Sequence, residues 1–273
     1  MKTVWIVLNR GSRTVGEDWD ARLTAAFEAR GAVVAGVTDF PHDPLPEPAA
    51  LDRAKVDTVA VAAGDGTINA LAQTLDNWPG VLLVLPGGTM NLLAKSLHGD
   101  ATPEVIVAAV ADPPQTRAVT TVDADGARAL VGVIVGPGAS WVHAREAVRK
   151  GRWGRLRRTV RLAWLRSLSS SVRLREGRKR SRGYRAIFIH PDGDVLSVVR
   201  VRASGWTDGV RLGFSYLVGN WATARGIETG TAETLQLVER RPVFALFDGE
   251  PLRLSPDARL TMGHTRLRFV VTA

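Results

Sequence analysis

Residues 56–97, VDTVAVAAGDGTINALAQTLDNWPGVLLVLPGGTMNLLAKSL, carry one pattern twice. Val59–Ala63 is a short run of apolar residues of the kind a parallel strand buried on both faces uses. Gly64-Asp65-Gly66-Thr67 interrupts it, after which Ile68, Leu71, Ala72 and Leu75 recur at helical spacing. Val81–Leu85 repeats the apolar run and Pro86-Gly87-Gly88-Thr89 repeats the break. Met90, Leu93, Ala94 and Leu97 then repeat the helical stripe. The stretch therefore predicts strand, turn, helix, strand, turn, helix, with both turns at the carboxyl edge of a parallel sheet.

The chemistry follows from that placement. Thr67 and Thr89 are expected to cap the first turns of the two helices, and the glycines before them to let a ligand approach the backbone. Two helix N-termini side by side present unpaired amides and positive dipole ends, which suits a polyphosphate. Asp65 is out of place among phosphates unless a cation such as Mg²⁺ intervenes. The plainer alternative is a pair of ordinary glycine-rich βα turns, although their shared Gly-Thr-x-Asn ending (Gly66–Asn69, Gly88–Asn91) weighs against it. Neither turn is a Walker A loop, because no Gly-Lys-Ser/Thr follows. Neither completes a dinucleotide fingerprint, because the third glycine is absent.

Working outward, residues 1–118 alternate in a βα rhythm that predicts a parallel sheet covered on both faces. Val4–Leu8 and Val33–Val37 are strands, Trp19–Arg30 and Thr102–Ala111 are helices, and Phe40–Pro48, with four prolines, is a loop. From Arg117 the texture changes to short strand-like runs at Val119–Val122, Ala129–Val135, Tyr184–His190, Val195–Ala203, Val210–Tyr216, Thr234–Val238, Val243–Phe247 and Leu267–Val271. These predict a second domain, a mostly antiparallel β-sandwich over residues 119–273, with a basic helical insertion at about 143–182.

The net charge of +9 on 273 residues is concentrated in Arg145–Arg182, which holds 15 Lys/Arg against two Glu and leaves the rest of the chain net acidic. Within it Trp153, Leu156, Val160, Trp164 and Leu168 recur every three or four residues, while Arg155, Arg157, Arg158 and Arg166 lie mainly off that stripe. Such a helix suits an anionic membrane surface or, equally, packs its stripe on the β domain. Charge alone would also admit nucleic acid, but no recognised motif supports it and none is expected as a partner. With no cysteine, thiolate sites and disulfides are excluded, and the five histidines show no zinc-ligand spacing. Lys2 leads directly into the first strand and no uncharged run is long enough to span a bilayer. The expectation is a cytoplasmic protein, soluble or peripheral to a membrane.

Ala63-Gly64-Asp65-Gly66-Thr67 and Pro86-Gly87-Gly88-Thr89-Met90-Asn91-Leu92 resemble the Gly-Gly-Asp-Gly-Thr and Pro-Leu-Gly-Thr-Ala-Asn-Asp motifs of the diacylglycerol kinase catalytic-domain family, which includes bacterial lipid kinases and sphingosine kinases. Asn9-Arg10-Gly11-Ser12 resembles its Asn-Pro-x-Ser-Gly loop, with Arg10 where the proline would stand. Phe247-Asp248-Gly249-Glu250 resembles its Asp-Gly-Glu motif, which read alone is a hairpin turn. Asp208-Gly209 resembles a turn used near a structural Mg²⁺, although a plain turn reads as well. Leu92 departs from the family's Asp, and the second Asp after Asp208 is missing.

The resemblance implies a kinase transferring phosphate from MgATP to a lipid hydroxyl, diacylglycerol-like or sphingoid. It implies nucleotide contact at Asn9, Ser12, Gly64, Gly66, Thr67, Asn69, Gly88, Thr89 and Asn91, and metal contact at Asp65 and Asp208. Glu250 is then the general base, assisted by Asp248, with Asp65 orienting the metal and γ-phosphate. Two alternatives stand beside it. One is a catalytically silent homologue that binds nucleotide or anionic lipid as a sensor. The other is an NAD kinase, whose related fold shares the Gly-Asp-Gly turn but lacks the Pro-Gly-Gly-Thr-Met-Asn segment.

Overall fold

The computed structural model describes residues 1–12, 14–16, 18–139, 171–176, 179–180, 183–202 and 227–273. Two compact units emerge: Met1–Val119 together with His264–Ala273, and Thr120–Gly263. The expected strand at Val210–Tyr216, Asp208 and the tryptophan-bearing basic stripe lie outside the described residues. Among the described residues no helix is long and apolar enough to cross a membrane.

The first unit is built on β1 (Thr3–Asn9), β2 (Val33–Phe40), β3 (Thr58–Ala63), β4 (Val81–Pro86), β5 (Thr116–Arg117) and β18 (Arg268–Val270), in the order β2-β1-β3-β4-β18-β5. Every neighbouring pair is parallel except β18 with β5. All six residues of β3 are buried, as the apolar run requires of a strand covered on both faces.

Five helices connect the strands: α1 (Trp19–Glu28), α2 (Pro48–Arg53), α3 (Asp65–Thr74), α4 (Leu92–His98) and α5 (Pro103–Ala109). Leu23 and Phe27, one turn apart on α1, and Ile106 and Val107 on α5 bury against Val4, Ile6, Leu8, Ala60, Ala62, Leu83 and Leu85. Alternation leaves Val59, Val61, Leu82 and Val84 to the opposite face. There α3 belongs, because the right-handed β3–β4 crossover runs across the sheet in the opposite direction to the β1–β2 crossover. Pro48 and Pro103 each open a helix, where a missing amide costs nothing.

β18 is a correction to the domain boundary expected from sequence. Leu267–Val271 was assigned to the second domain, yet Arg268 and Phe269 pair with Val81 and Leu82 of β4 in the first sheet. Phe269 is fully buried there.

The second unit contains β6 (Thr120–Ala124), β7 (Ala127–Ala129), β8 (Val133–Val135), β9 (Leu174–Glu176), β10 (Lys179–Arg180), β11 (Ala186–Asp192), β12 (Val195–Val201), β13 (Ile227–Ala232), β14 (Thr234–Leu237), β15 (Val243–Phe247), β16 (Glu250–Leu254) and β17 (Arg259–His264). They form two sheets, β10-β9-β14-β17-β6-β7 and β13-β12-β11-β8-β15-β16. Leu174, Leu235, Leu237 and Leu260 from the first sheet share one core with Val135, Ile187, Ile189, Val198, Ala245 and Phe247 from the second. The sandwich expected from the short strand runs is therefore present.

Its details differ from the sequence reading in two ways. Ala129–Val135 is split between β7 and β8 by a bend at Leu130–Val131. β9, β10, β13, β16 and β17 were not anticipated, and β9 and β10 put strands at 174–176 and 179–180 where the basic helical insertion at about 143–182 was expected. β13 and β16 are the edges of their sheet, where polar residues and Pro251 are tolerated.

Candidate active site at the carboxyl edge of the parallel sheet

The chain leaves β1 toward β2 on one side and returns to β3 on the other. The carboxyl ends of β1 and β3 therefore flank the topological switch point, where open α/β sheets leave a crevice. Three turns meet there. Asn9, the last residue of β1, donates from Nδ2 to Thr67 Oγ1 at 2.8 Å. Three residues on, the Ser12 amide donates to the Asn9 carbonyl at 2.9 Å, tightening the loop. The hydroxyls of Ser12 and Thr14 both donate to the carbonyl of Gly87, Thr14 at 2.7 Å. The loop after β1 is thus fastened to the turns after β3 and after β4.

The two glycines of the second turn are required by packing. A Cβ at Gly87 would lie 2.5 Å from both the carbonyl carbon of Ala62 and the amide nitrogen of Ala63, and one at Gly88 would lie 2.7 Å from Gly64 Cα. Backbone lies on backbone here, so at these positions the glycines admit a neighbouring turn rather than a ligand. Gly64 differs, since a Cβ there would meet nothing within 4 Å. Asn91 adopts φ +52°, which Asn tolerates better than most residues, and its Oδ1 accepts the Gly88 amide at 2.6 Å.

The threonine caps expected from sequence are not what starts the helices. α3 begins at Asp65 directly behind the Gly64 cap residue, so Thr67 lies inside the first turn. α4 begins behind Asn91, two residues after Thr89. Thr67 instead orients Asn9.

The side chain that reaches a helix end is Asp65. Its Oδ1 accepts the amide of Leu93, the second residue of α4, at 3.3 Å. The carboxylate thereby joins the N-termini of both helices. Burial raises the Asp65 pKa above the ordinary carboxylate value, and the amides of Leu93 and Leu92 only partly offset that. A carboxylate so shifted, among helix amides at a switch point, has the character of a functional group.

Other expected site residues fall around this nucleus. Gly66 lies in the first turn of α3, and Thr89 in the bend before α4. Asn69 is on α3 but buried, 6% exposed, with Oδ1 accepting from Gln73 at 3.1 Å. Arg10, standing where the family loop has proline, is held by Asp20 and Asp39 at 3.2 Å each. Thr14 was not singled out from sequence, although a second hydroxyl two residues after Ser12 is the signal that would have found it.

Asp248 and Glu250 belong to the second unit, at the turn joining β15 and β16. Asp248 at φ +47° and Gly249 at φ +91° make the tight two-residue hairpin that an Asp-Gly pair favours. Their side chains part company. Asp248 accepts the amides of Leu130 at 2.7 Å and of Val131 and Gly132 at 2.9 Å each. Its own amide donates to the Gly132 carbonyl at 3.1 Å. It supports the bend between β7 and β8. Glu250, first residue of β16, is exposed.

Among the described residues no three acidic, histidine or cysteine side chains gather as a metal cluster. An ion held chiefly by phosphate oxygens needs only one or two carboxylates from the protein. Asp65 therefore fits a Mg²⁺ carried in by a nucleotide.

A parallel sheet with its glycine turns fastened together at the switch point, joined in the chain to an antiparallel sandwich, defines an α/β-plus-sandwich fold. Residues 3–123 match the model of the diacylglycerol kinase catalytic domain. Two crystal structures from Bacillus anthracis str. Sterne share the fold over almost the whole chain. A diacylglycerol kinase superposes with TM-score 0.66 at 14% identity, covering 99% of this chain and 96% of that one. A candidate diacylglycerol kinase superposes with TM-score 0.68 at 16% identity, covering 99% and 97%. At such identities the likeness speaks for the fold alone. No curated protein sequence matches the chain.

Proposed function

We propose that this protein transfers the γ-phosphoryl group of ATP to the hydroxyl of a lipid. The observation that carries the proposal is that the three turns are fastened to one another around the helix ends that Asp65 joins, within the residues that match a diacylglycerol kinase catalytic domain. Phosphoryl transfer asks the protein mainly for positioning and for charge placed in advance. The first-turn amides of α3 receive phosphate oxygens at the positive end of the helix dipole. The Asn9–Thr67 bond holds the loop after β1 over that helix end. Bound Mg²⁺ would neutralise phosphate charge, with Asp65 as the carboxylate that meets it.

In the transfer, the lipid oxygen forms a bond to the γ-phosphorus as the bond to the β-bridging oxygen breaks. The hydroxyl proton must go to a base. Asp248 is committed to three amides, so Glu250 takes that part, as the family resemblance implies.

A second reading, nucleotide binding without transfer, is favoured by one observation: the Asp65 carboxylate already serves as a cap for Leu93. Turnover of labelled ATP with a panel of lipid alcohols, beside NAD and no acceptor, decides between them. Lipid-dependent phosphate transfer is expected. Asp65→Asn is expected to abolish most of it while the protein stays folded. Nucleotide binding with no transfer to any acceptor would establish the second reading, and transfer to NAD alone would establish an NAD kinase.

A further inference from the structure

The outer face of the sheet β10-β9-β14-β17-β6-β7 carries a row of basic residues that the proposed chemistry does not use. Gln236 of β14 pairs with Arg175 of β9 on one side and with Arg259 of β17 on the other. Residues directly opposite in neighbouring strands share a face. The alternate residues Leu174, Leu235, Leu237 and Leu260 are buried in the core, so Arg175, Gln236 and Arg259 look outward. Arg175 and Arg259 are both exposed.

Two strand spacings separate Arg175 from Arg259, about 10 Å. Like charges at that range across one sheet repel and contribute nothing to folding. Elsewhere in this sheet and its margins the protein neutralises its arginines. Arg128 meets Asp123 at 3.4 Å, and Arg173 meets Glu239 at 3.2 Å through two nitrogens. Arg175 and Arg259 have no acidic partner among the described residues. A flat row of unpaired guanidinium groups is complementary to a plane of anionic phosphates, which guanidinium binds bidentately.

We infer that this face docks on the surface of an anionic phospholipid bilayer, with Arg175 and Arg259 contacting lipid phosphates. The choice of a bilayer over a nucleic acid rests on the lipid-kinase reading, since an enzyme acting on a membrane lipid must reach it there. The row lies on strands of the described sandwich and is independent of the expected basic stripe at Trp153–Leu168.

The test is binding of the full chain to vesicles of phosphatidylcholine alone or mixed with phosphatidylglycerol. Wild type is expected to bind only the anionic vesicles, less as salt is raised. Arg175→Gln with Arg259→Gln is expected to lower that affinity about 30-fold, from roughly fivefold per basic residue at an anionic surface. Arg241→Gln with Arg253→Gln removes the same charge at exposed positions off the row and is expected to change it little. Unaltered circular dichroism establishes that each variant is folded.

The inference is overturned if wild type ignores the anionic vesicles, if the row variant binds them like wild type, or if both variants lose equally. It is also overturned if duplex DNA displaces the protein from vesicles and its binding needs the same two arginines. Turnover on detergent-dispersed lipid is a separate measurement, expected to be the same for wild type and the row variant. Row-dependent vesicle binding without any turnover would uphold the surface and refute the kinase.

Discussion

Replacing Asp248 separates support from chemistry at the β15–β16 turn. Its carboxylate accepts three consecutive amides, and hydrogen bonds to a charged group are worth about 1.5–3 kcal/mol each when considered singly. They are not additive, and water reaches this half-buried side chain, so we expect Asp248→Gly to destabilise the second unit by about 2–4 kcal/mol. Asp248→Ala loses the same bonds but, unlike glycine, keeps a Cβ at φ +47°, without the polar side chain that makes Asp tolerant there, and is expected to cost ~1–2 kcal/mol more than Asp248→Gly. Asp248→Asn keeps an acceptor and a residue tolerant of that backbone, and should cost least, about 1–2 kcal/mol. Urea unfolding followed by circular dichroism measures the series, expected in the order Asn, Gly, Ala. An Asp248→Gly protein as stable as wild type would refute the supporting role. An Asp248→Asn protein that is fully stable yet inactive would return the carboxylate to the chemistry.

Three further outcomes are expected. Glu250→Gln, at an exposed position, should leave stability unchanged and lower kcat by about 10²–10⁴ with KM for ATP nearly constant, as steady-state kinetics would show. Gly87→Ala, which drives a Cβ to 2.5 Å from the backbone of Ala62 and Ala63, should cost ~1–3 kcal/mol and most turnover, read by melting and by activity. His98 is buried with Nδ1 against Thr272 Oγ1 at 2.9 Å, and burial lowers its pKa from 6.5 to about 4. The unfolded chain therefore binds this proton first as pH falls. The His98 contribution is complete above pH 6.5 and is lost between there and about 4, amounting to roughly 3 kcal/mol. His98→Gln should flatten urea stability across that interval.

The legible parts of the fold were those where one residue's chemistry suffices. Val59–Ala63 and Val243–Phe247 are apolar runs that nothing but a buried strand explains, and they stand as β3 and β15. The edge strands β13 and β16 were illegible because an edge asks for polar residues, and polarity alone reads as loop. At the site, the glycines and Asp65 were visible in sequence while their partners were not. A threonine three residues after a glycine looks like a cap. Gly64 at φ −80° and ψ 160° lets the helix begin sooner, leaving Thr67 within it. The task of Asp248 was hidden because the amides it holds belong to Leu130–Gly132, more than a hundred residues earlier.

The position of β18 also bears on how the molecule is made. Arg268–Val270 lie beyond the whole sandwich in the chain and yet fill the place between β4 and β5. During synthesis β1 to β4 emerge before the sandwich and are able to pair, but their sheet waits for a strand translated after the sandwich. Until then the edge of β4 is open, an apolar strand with unanswered amides and carbonyls at the time of greatest exposure to other nascent chains. The half that carries the glycine turns thus begins folding before the sandwich and finishes after it.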